Sequence, residues 1–295
     1  MRPRTRRALL HAGTVGLAGL FAGCIAGSTD GTVDKTTTDT STTDTTTRAV
    51  DDPLQVGDAR TVGDVTVTVT GATVTDSFFY LTTPDSMAVA GDADARYLFV
   101  DVAANGDAPE SRDFHLVTGD DGIPGTVKPT VDGRDVHVYD HGPAYTRDED
   151  GGEGWFVFRV PVPLSVTPAV RWDVGDEDPT WQLPDDVTVA LAGPAPRFEL
   201  VSFDVPASVS ADEPIPVSLT IRNAGEGDGT FRAVLNEAGP MYAPHSATAP
   251  VPAGEKRTLE WSIDTHVGSS ADRVGLALRS PVADRDVAVS VSAGD

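Results

Sequence analysis

Apolar and polar positions alternate with a period of two along most of the chain. Val65-Thr66-Val67-Thr68-Val69-Thr70 places its valines on one face and its threonines on the other, as in a half-buried antiparallel strand. Tyr97-Leu98-Phe99-Val100-Asp101-Val102 is apolar on nearly both faces, which suits a central strand. Val136-His137-Val138-Tyr139 alternates again, and Gly154–Val160 sends Phe156, Phe158 and Val160 one way before Pro161 and Pro163 end its pairing. Val170–Val174 and Val187–Leu191 complete a first set of expected strands. Gly, Pro and Asp clusters separate these runs, and no stretch sustains a 3.6-residue apolar period. Many short strands at this spacing predict a sandwich or barrel.

Gly193-Pro194-Ala195-Pro196 reads as a short stiff boundary, and a second set of runs follows it. Expected strands cover Phe198–Val205, Ile215–Arg222, Thr230–Asn236, Lys256–Thr265, Arg273–Arg279 and Asp286–Ala293. Val217, Leu219 and Ile221 point inward in the second of these. Leu259, Trp261 and Ile263 share a face in the fourth, and Val287, Val289 and Val291 in the last. The apolar phase slips between Leu200 and Val201, which predicts a bulge. Asn223 and Gly225 predict a turn with positive φ, with the Asn223 amide bonding nearby backbone.

The first residues have a different pattern. Arg2, Arg4, Arg6 and Arg7 precede a 16-residue apolar run, Ala8–Gly23, which ends on Phe21-Ala22-Gly23-Cys24. A bilayer-spanning helix needs about 20 apolar residues, so this run is short for a permanent span. Basic flank, short apolar centre and small residues at the end are the order of a signal peptide, here 1–23. Arg6-Arg7-Ala8-Leu9-Leu10 resembles a twin-arginine export signal. Phe21-Ala22-Gly23-Cys24 resembles a lipobox, with Phe21 where leucine is usual. That resemblance implies lipid on the sulfur of Cys24, the only cysteine in the chain. Two chains are the general requirement for stable anchoring, each buried methylene adding about 0.8 kcal/mol. Residues 24–53 then form a Thr- and Asp-rich tether with little to bury, expected to be disordered. Some 20 flexible residues span roughly 25 Å on average and about 65 Å when stretched.

Charge narrows the partners. Against 22 Lys and Arg stand 45 Asp and Glu, a net charge of −23, and loss of the four leader arginines takes it to −27. Such an excess of acid opposes binding to nucleic acid and to anionic membrane surfaces. It also opposes compactness, except in about 1 M salt, where the screening length falls to roughly 3 Å. This acid-rich, lysine-poor composition resembles that of halophile proteins. With a single cysteine there is no intramolecular disulfide, and no thiol is left for catalysis once Cys24 is lipidated.

Two family resemblances refine the architecture. Residues 54–193 resemble the telokin-like immunoglobulin-type domains of secreted prokaryotic lipoproteins, through Tyr97–Asn105, Phe114-His115-Leu116 with Asp121-Gly122, and Gly154–Pro163. Residues 195–295 resemble a CARDB-type, cell-adhesion-related domain, through Phe198-Glu199-Leu200, Val217–Ile221 followed by Arg222-Asn223-Ala224-Gly225, and Pro252-Ala253-Gly254-Glu255 leading into Lys256–Ile263. The fold expected is therefore all-β, two immunoglobulin-like antiparallel sandwiches in tandem. The expected function is non-catalytic: a haloarchaeal-type lipoprotein, held by Cys24 at the extracellular face of the membrane. It would present the two modules for adhesion, scaffolding, or binding an envelope protein or glycan. The alternative is a lipoprotein that binds a solute or metal ion.

Candidate chemistry is sparse. No Gly-X-Ser-X-Gly, His-Glu-X-X-His or phosphate-binding glycine loop is present, so no catalytic residue, metal ligand or cofactor is assigned. His137 and His141, flanked by Asp135 and Asp140, lie on a strand and a turn, where their spacing loses its helical meaning. Asp148-Glu149-Asp150-Gly151-Gly152-Glu153 lacks the later ligands of a calcium loop and reads as a solvated turn, as does Asp176-Glu177-Asp178. Trp172 and Trp261 are expected in the core. Trp181, between Pro179-Thr180 and Gln182, is the tryptophan expected at the surface, where it could line a ligand face.

Overall fold

The computed structural model describes residues 53–119, 122–175, 178–211, 213–239, 241–265 and 272–292. Arg6, Arg7, Cys24 and all but the last residue of the tether, and Asp176 and Glu177, lie outside the described residues. The described part is mostly β and belongs to one compact unit, Ala49–Asp295.

Among the described residues, five of six sheets stack in succession, the sixth being the two-stranded Thr130–Val131 with Arg134–Asp135, and the burial pattern of each strand follows from its layer. The first sheet orders Leu54–Gln55, Thr180–Gln182, Ala169–Trp172, Phe114–Val117 and Gly122–Pro124. It faces the second, which orders Thr146–Arg147, Gly151–Pro161, Ala95–Asn105, Val65–Thr75 and Ala59–Val62. Between them Val67, Val69, Leu98, Val100, Phe114, Phe156, Phe158 and Trp181 form the first core. The third layer is a hairpin, Ser77–Thr83 with Ser86–Gly91, extended by His137–Val138. Its Phe78 and Ala90 pack on Tyr97, Phe99, Trp155 and Val157 of the second sheet. Its opposite face turns Phe79, Met87 and Val89 toward Val234.

Val234 belongs to the fourth sheet, which orders Ser208–Ser210, Ala283–Ser292, Arg273–Ser280, Gly229–Ala238 and Ala243–Val251. The fifth sheet, Phe198–Asp204, Ile215–Asn223 and Lys256–Ile263, closes the stack over a core of Ile215, Leu219, Ile221, Phe231, Leu235, Leu276 and Leu278. Strands in interior layers are buried on both faces. That is why Tyr97–Val100 and Trp155–Phe158 are continuous apolar runs, whereas Val217–Ile221 alternates.

Several local expectations hold. The pairing of Phe198–Asp204 with its neighbour shifts register between Leu200 and Ser202, where the apolar phase slips. Asn223 is fully buried with its amide saturated: Oδ1 accepts from the amides of Arg197 (3.1 Å) and Gly225 (3.0 Å), and Nδ2 donates to the carbonyls of Gly227 (2.8 Å) and Val251 (3.0 Å). The positive φ expected at Asn223 and Gly225 is not found at either residue, and Gly225 is kept small by a close approach instead. A Cβ there would sit 2.5 Å from the Arg197 amide nitrogen, so the residue is small to let the linker run alongside.

Three further expectations are corrected. Val187–Leu191 is not a strand but lies in a helix, Asp185–Ala192, that packs Val187 and Leu191 into the first core. Pro184 precedes it, and Asp185 and Asp186 occupy its first turn, where the helix dipole favours negative charge. Trp181 is 0% exposed rather than superficial: it lies between two strand partners, and its Nε1 donates to the Asp58 carbonyl at 2.9 Å. Ala243–Val251 forms an additional strand at the edge of the fourth sheet, where Pro244 and Pro250 are tolerated.

Candidate functional site

The linker and the hairpin are where the two halves meet, and the contacts there are polar as well as apolar. Arg96 projects from Ala95–Asn105 and is 8% exposed. Its Nε donates to Asp76 Oδ1 at 3.0 Å, and its other nitrogens reach the carbonyls of Ala190, Pro194 (3.2 Å) and Asp228 (3.3 Å). The second Asp76 oxygen accepts the Thr230 amide at 2.8 Å. One ion pair therefore ties together the second sheet, the helix end, the linker and the fourth sheet. Arg232 repeats the theme: it donates to Thr75 Oγ1 at 2.9 Å, lies 3.5 Å from Asp140 Oδ2, and sits over the Phe79 ring. Glycines seat the linker. A Cβ on Gly227 would lie 2.0 Å from the Pro194 carbonyl oxygen, and one on Gly229 2.4 Å from Pro196.

Asp140 and His141, from the histidine–aspartate cluster in the sequence, take structural partners near this junction. Asp140 Oδ1 accepts the Phe79 amide at 3.2 Å and lies 3.2 Å from His141 Nδ1. The His141 imidazole stacks on Phe99, with centroids 3.6 Å apart and planes at 19°. His137 is exposed on its short strand. In the acidic turn, Asp148 Oδ1 accepts the amides of Asp150 and Gly151, both at 2.9 Å, so it closes its own loop. Among the described residues, no three His, Cys, Asp or Glu side chains converge as a metal site would require.

Two histidine–carboxylate pairs carried no sequence signal, because their partners are remote or on neighbouring strands. His115 Nδ1 lies 3.0 Å from Asp173 Oδ2, and Arg171 holds the other oxygen of that carboxylate at 2.5 Å. His245 Nε2 lies 3.0 Å from Oε2 of Glu237, which is 3% exposed. The remaining tryptophans are structural. Trp155 Nε1 donates to the His141 carbonyl at 2.7 Å, Trp172 is 4% exposed, and Trp261 is half-buried with Nε1 on the His245 carbonyl at 3.2 Å.

Among the described residues, the concave regions include a hollow of about 430 Å³ beside the linker, between Asp76, Gly91, Arg197 and Pro281, and two of contrasting character. An open cleft of about 830 Å³ runs over the fifth sheet beside Phe203, Trp261, Asp204 and Glu260. A smaller polar cavity of about 320 Å³ lies at the junction, where Tyr80, Tyr97, Arg159, Arg279, Asp132 and Asp284 converge. Burial raises the Tyr97 phenol to about 12 and also raises Tyr80, with Asp132 and Asp284 adding to the effect at Tyr80. Burial works against the Asp92 carboxylate, but the Asp94 amide and the Arg159 guanidinium together hold its pKa below the usual value.

No protein-family model matches the chain, and no curated protein matches it. Among solved structures, part of it is similar to part of a β-glucosidase from Listeria innocua in complex with isofagomine: 16% identity over 34% of this chain and 16% of that one, TM-score 0.28. A β-glucosidase from Erythrobacter marinus is similar at 10% identity over 33% of this chain and 16% of that one, TM-score 0.28. The chain thus matches 16% of the length of those enzymes. Likeness of this extent carries no argument about activity. Among the described residues, no helix is long and apolar enough to cross a membrane.

Proposed function

We propose that the protein is a non-catalytic lipoprotein of the cell surface. Lipid on Cys24 would hold it to the extracellular face of the membrane, a Thr-rich tether would lift it, and two immunoglobulin-like sandwiches would be displayed for adhesion, scaffolding or binding an envelope partner. The observation that carries this reading is the sequence of the leader: Arg6-Arg7, a short apolar run, then the sole cysteine after Ala22-Gly23. The layered stack is consistent with display. Its two sheet pairs are fastened through a shared hairpin, so both would be presented as one body.

The test is Cys24→Ser in the native host. The parent partitions with the membrane, and the variant is released to the soluble or secreted fraction. A variant that stays in the membrane as firmly as the parent overturns the reading.

A further inference from the structure

We propose that the polar cavity at the junction is a binding site for a neutral polyhydroxylated ligand of monosaccharide size. The inference goes beyond the anchored-display reading and does not depend on Cys24. The cavity is walled by the second sheet, the hairpin, the short strand Thr130–Val131 with Asp132 after it, and the corner from Ser280 to Asp284 in the fourth sheet, so it exists only where these elements meet. At about 320 Å³ it falls at the small end of the volumes that ligand sites occupy. Gly91 sets the spacing of its walls. A Cβ there would lie 2.7 Å from the Pro281 ring, so hairpin and fourth sheet touch at that point and part beyond it.

The lining alternates donors and acceptors that protein partners leave unused. Arg159 is held by Asp92, through Nε at 2.9 Å and through a second nitrogen. Arg279 is held by Asp286 and the Leu278 carbonyl, both at 2.8 Å. A guanidinium has five N–H donors, so both arginines are oriented and both keep donors to spare. The Asp132 and Asp284 carboxylates accept no protein hydrogen bond among the described residues, and neither do the Tyr80 and Tyr97 hydroxyls make one. The Tyr97 residue is 8% exposed, yet its oxygen is not a buried orphan, so it opens onto the cavity.

Charge and chemistry then select the ligand class. Asp92 and Asp286 already compensate both guanidiniums, and two more carboxylates line the walls, so an anion gains nothing on entering. A bare metal cation would need more convergent ligands than the cavity offers, since among the described residues no three His, Cys, Asp or Glu side chains gather as a metal site. An apolar ligand would strand the convergent polar groups. A hydroxyl both donates and accepts, and a ring of hydroxyls with one C–H face matches carboxylate, guanidinium and phenol together.

Calorimetry on the full chain in molar salt, with glucose, galactose and mannose as probes and glucuronate and glucosamine as charged controls, tests the proposal. At least one neutral sugar should saturate at one site per chain. Tyr97→Phe, which keeps the ring, and Asp284→Asn, which alters an exposed residue at the start of the strand Ala283–Ser292, should each weaken binding by about tenfold. Circular dichroism checks that both variants remain folded. Failure of all three neutral sugars to saturate overturns the proposal. So does tighter binding of a charged sugar, or undiminished binding by both folded variants. None of these results bears on membrane attachment, which the Cys24→Ser fractionation reads separately.

Discussion

Asn236 and Met87 are joined by two hydrogen bonds between a side chain and a strand edge. The Met87 amide donates to Asn236 Oδ1 at 2.9 Å, and Asn236 Nδ2 donates to the Met87 carbonyl at 2.9 Å. Met87 lies on the edge strand of the hairpin, and both residues are buried. The amide thus makes the pair of bonds that another strand would make, and it satisfies an edge that could otherwise pair with a second chain. Replacing it with leucine would strand both backbone groups. Asn236→Leu should cost about 2–6 kcal/mol, from about 1–3 kcal/mol for each of the two orphaned groups. Chemical denaturation would read this as a lower midpoint, and a shift below about 0.5 kcal/mol would contradict the role.

Arg96 is the polar counterpart of that contact. Its guanidinium and the Asp76 carboxylate are 9% and 14% exposed, and both reach across the layers. Breaking a buried pair leaves an uncompensated charge, which costs about 3–5 kcal/mol. Because this pair joins elements on both sides of the linker, Arg96→Ala should also loosen their coupling. Differential scanning calorimetry should show one unfolding transition for the parent and two for Arg96→Ala. A single transition at the parental temperature would rule out the coupling.

Alkaline titration gives a second reading of the cores. Burial first, with neighbouring carboxylates adding, raises both Tyr97 and Tyr145 from 10.0 to about 12. Tyr145 donates its hydroxyl to the Pro109 carbonyl at 2.9 Å. An acid whose folded pKa lies above its unfolded value stabilises the fold fully below the unfolded pKa, here 10.0. That contribution is lost as pH rises from 10 toward about 12. Tyrosinate absorbance at these two residues should therefore lag into that window, and the denaturation midpoint should fall through it. Tyr97→Phe should lessen the fall.

Salt should act in the direction that net charge dictates. At −23 for the whole chain, self-repulsion opposes compaction, and at about 1 M salt the screening length is only roughly 3 Å. The melting temperature should rise from low to molar salt. A midpoint indifferent to salt would contradict the screening argument.

What the sequence revealed depended on how each segment is buried. Val65–Thr70 and Val217–Ile221 each pack one face, so their alternation is plain, and the slip at Leu200 is a true bulge. The hairpin Ser77–Gly91 gave no such signal. Phe78 and Phe79 serve opposite layers, as do Val89 and Ala90, which erases the period of two. With the hairpin hidden, the junction was hidden too, because its groups come from elements far apart in sequence: Asp76 meets Thr230, and Met87 meets Asn236. Val187–Leu191 is too short to separate period two from 3.6, and the stronger signal was Pro184 ahead of Asp185-Asp186. The Pro and Gln neighbours of Trp181 suggest exposure, but a strand of three residues is enough to bury it.

The most direct test of the account is intact-mass spectrometry of the protein taken from the membrane of its host. The account predicts a chain that begins at Cys24, lacking residues 1–23 and heavier than that sequence by a covalently attached two-chain lipid. A chain that begins at Met1, or a free thiol at Cys24, would contradict it.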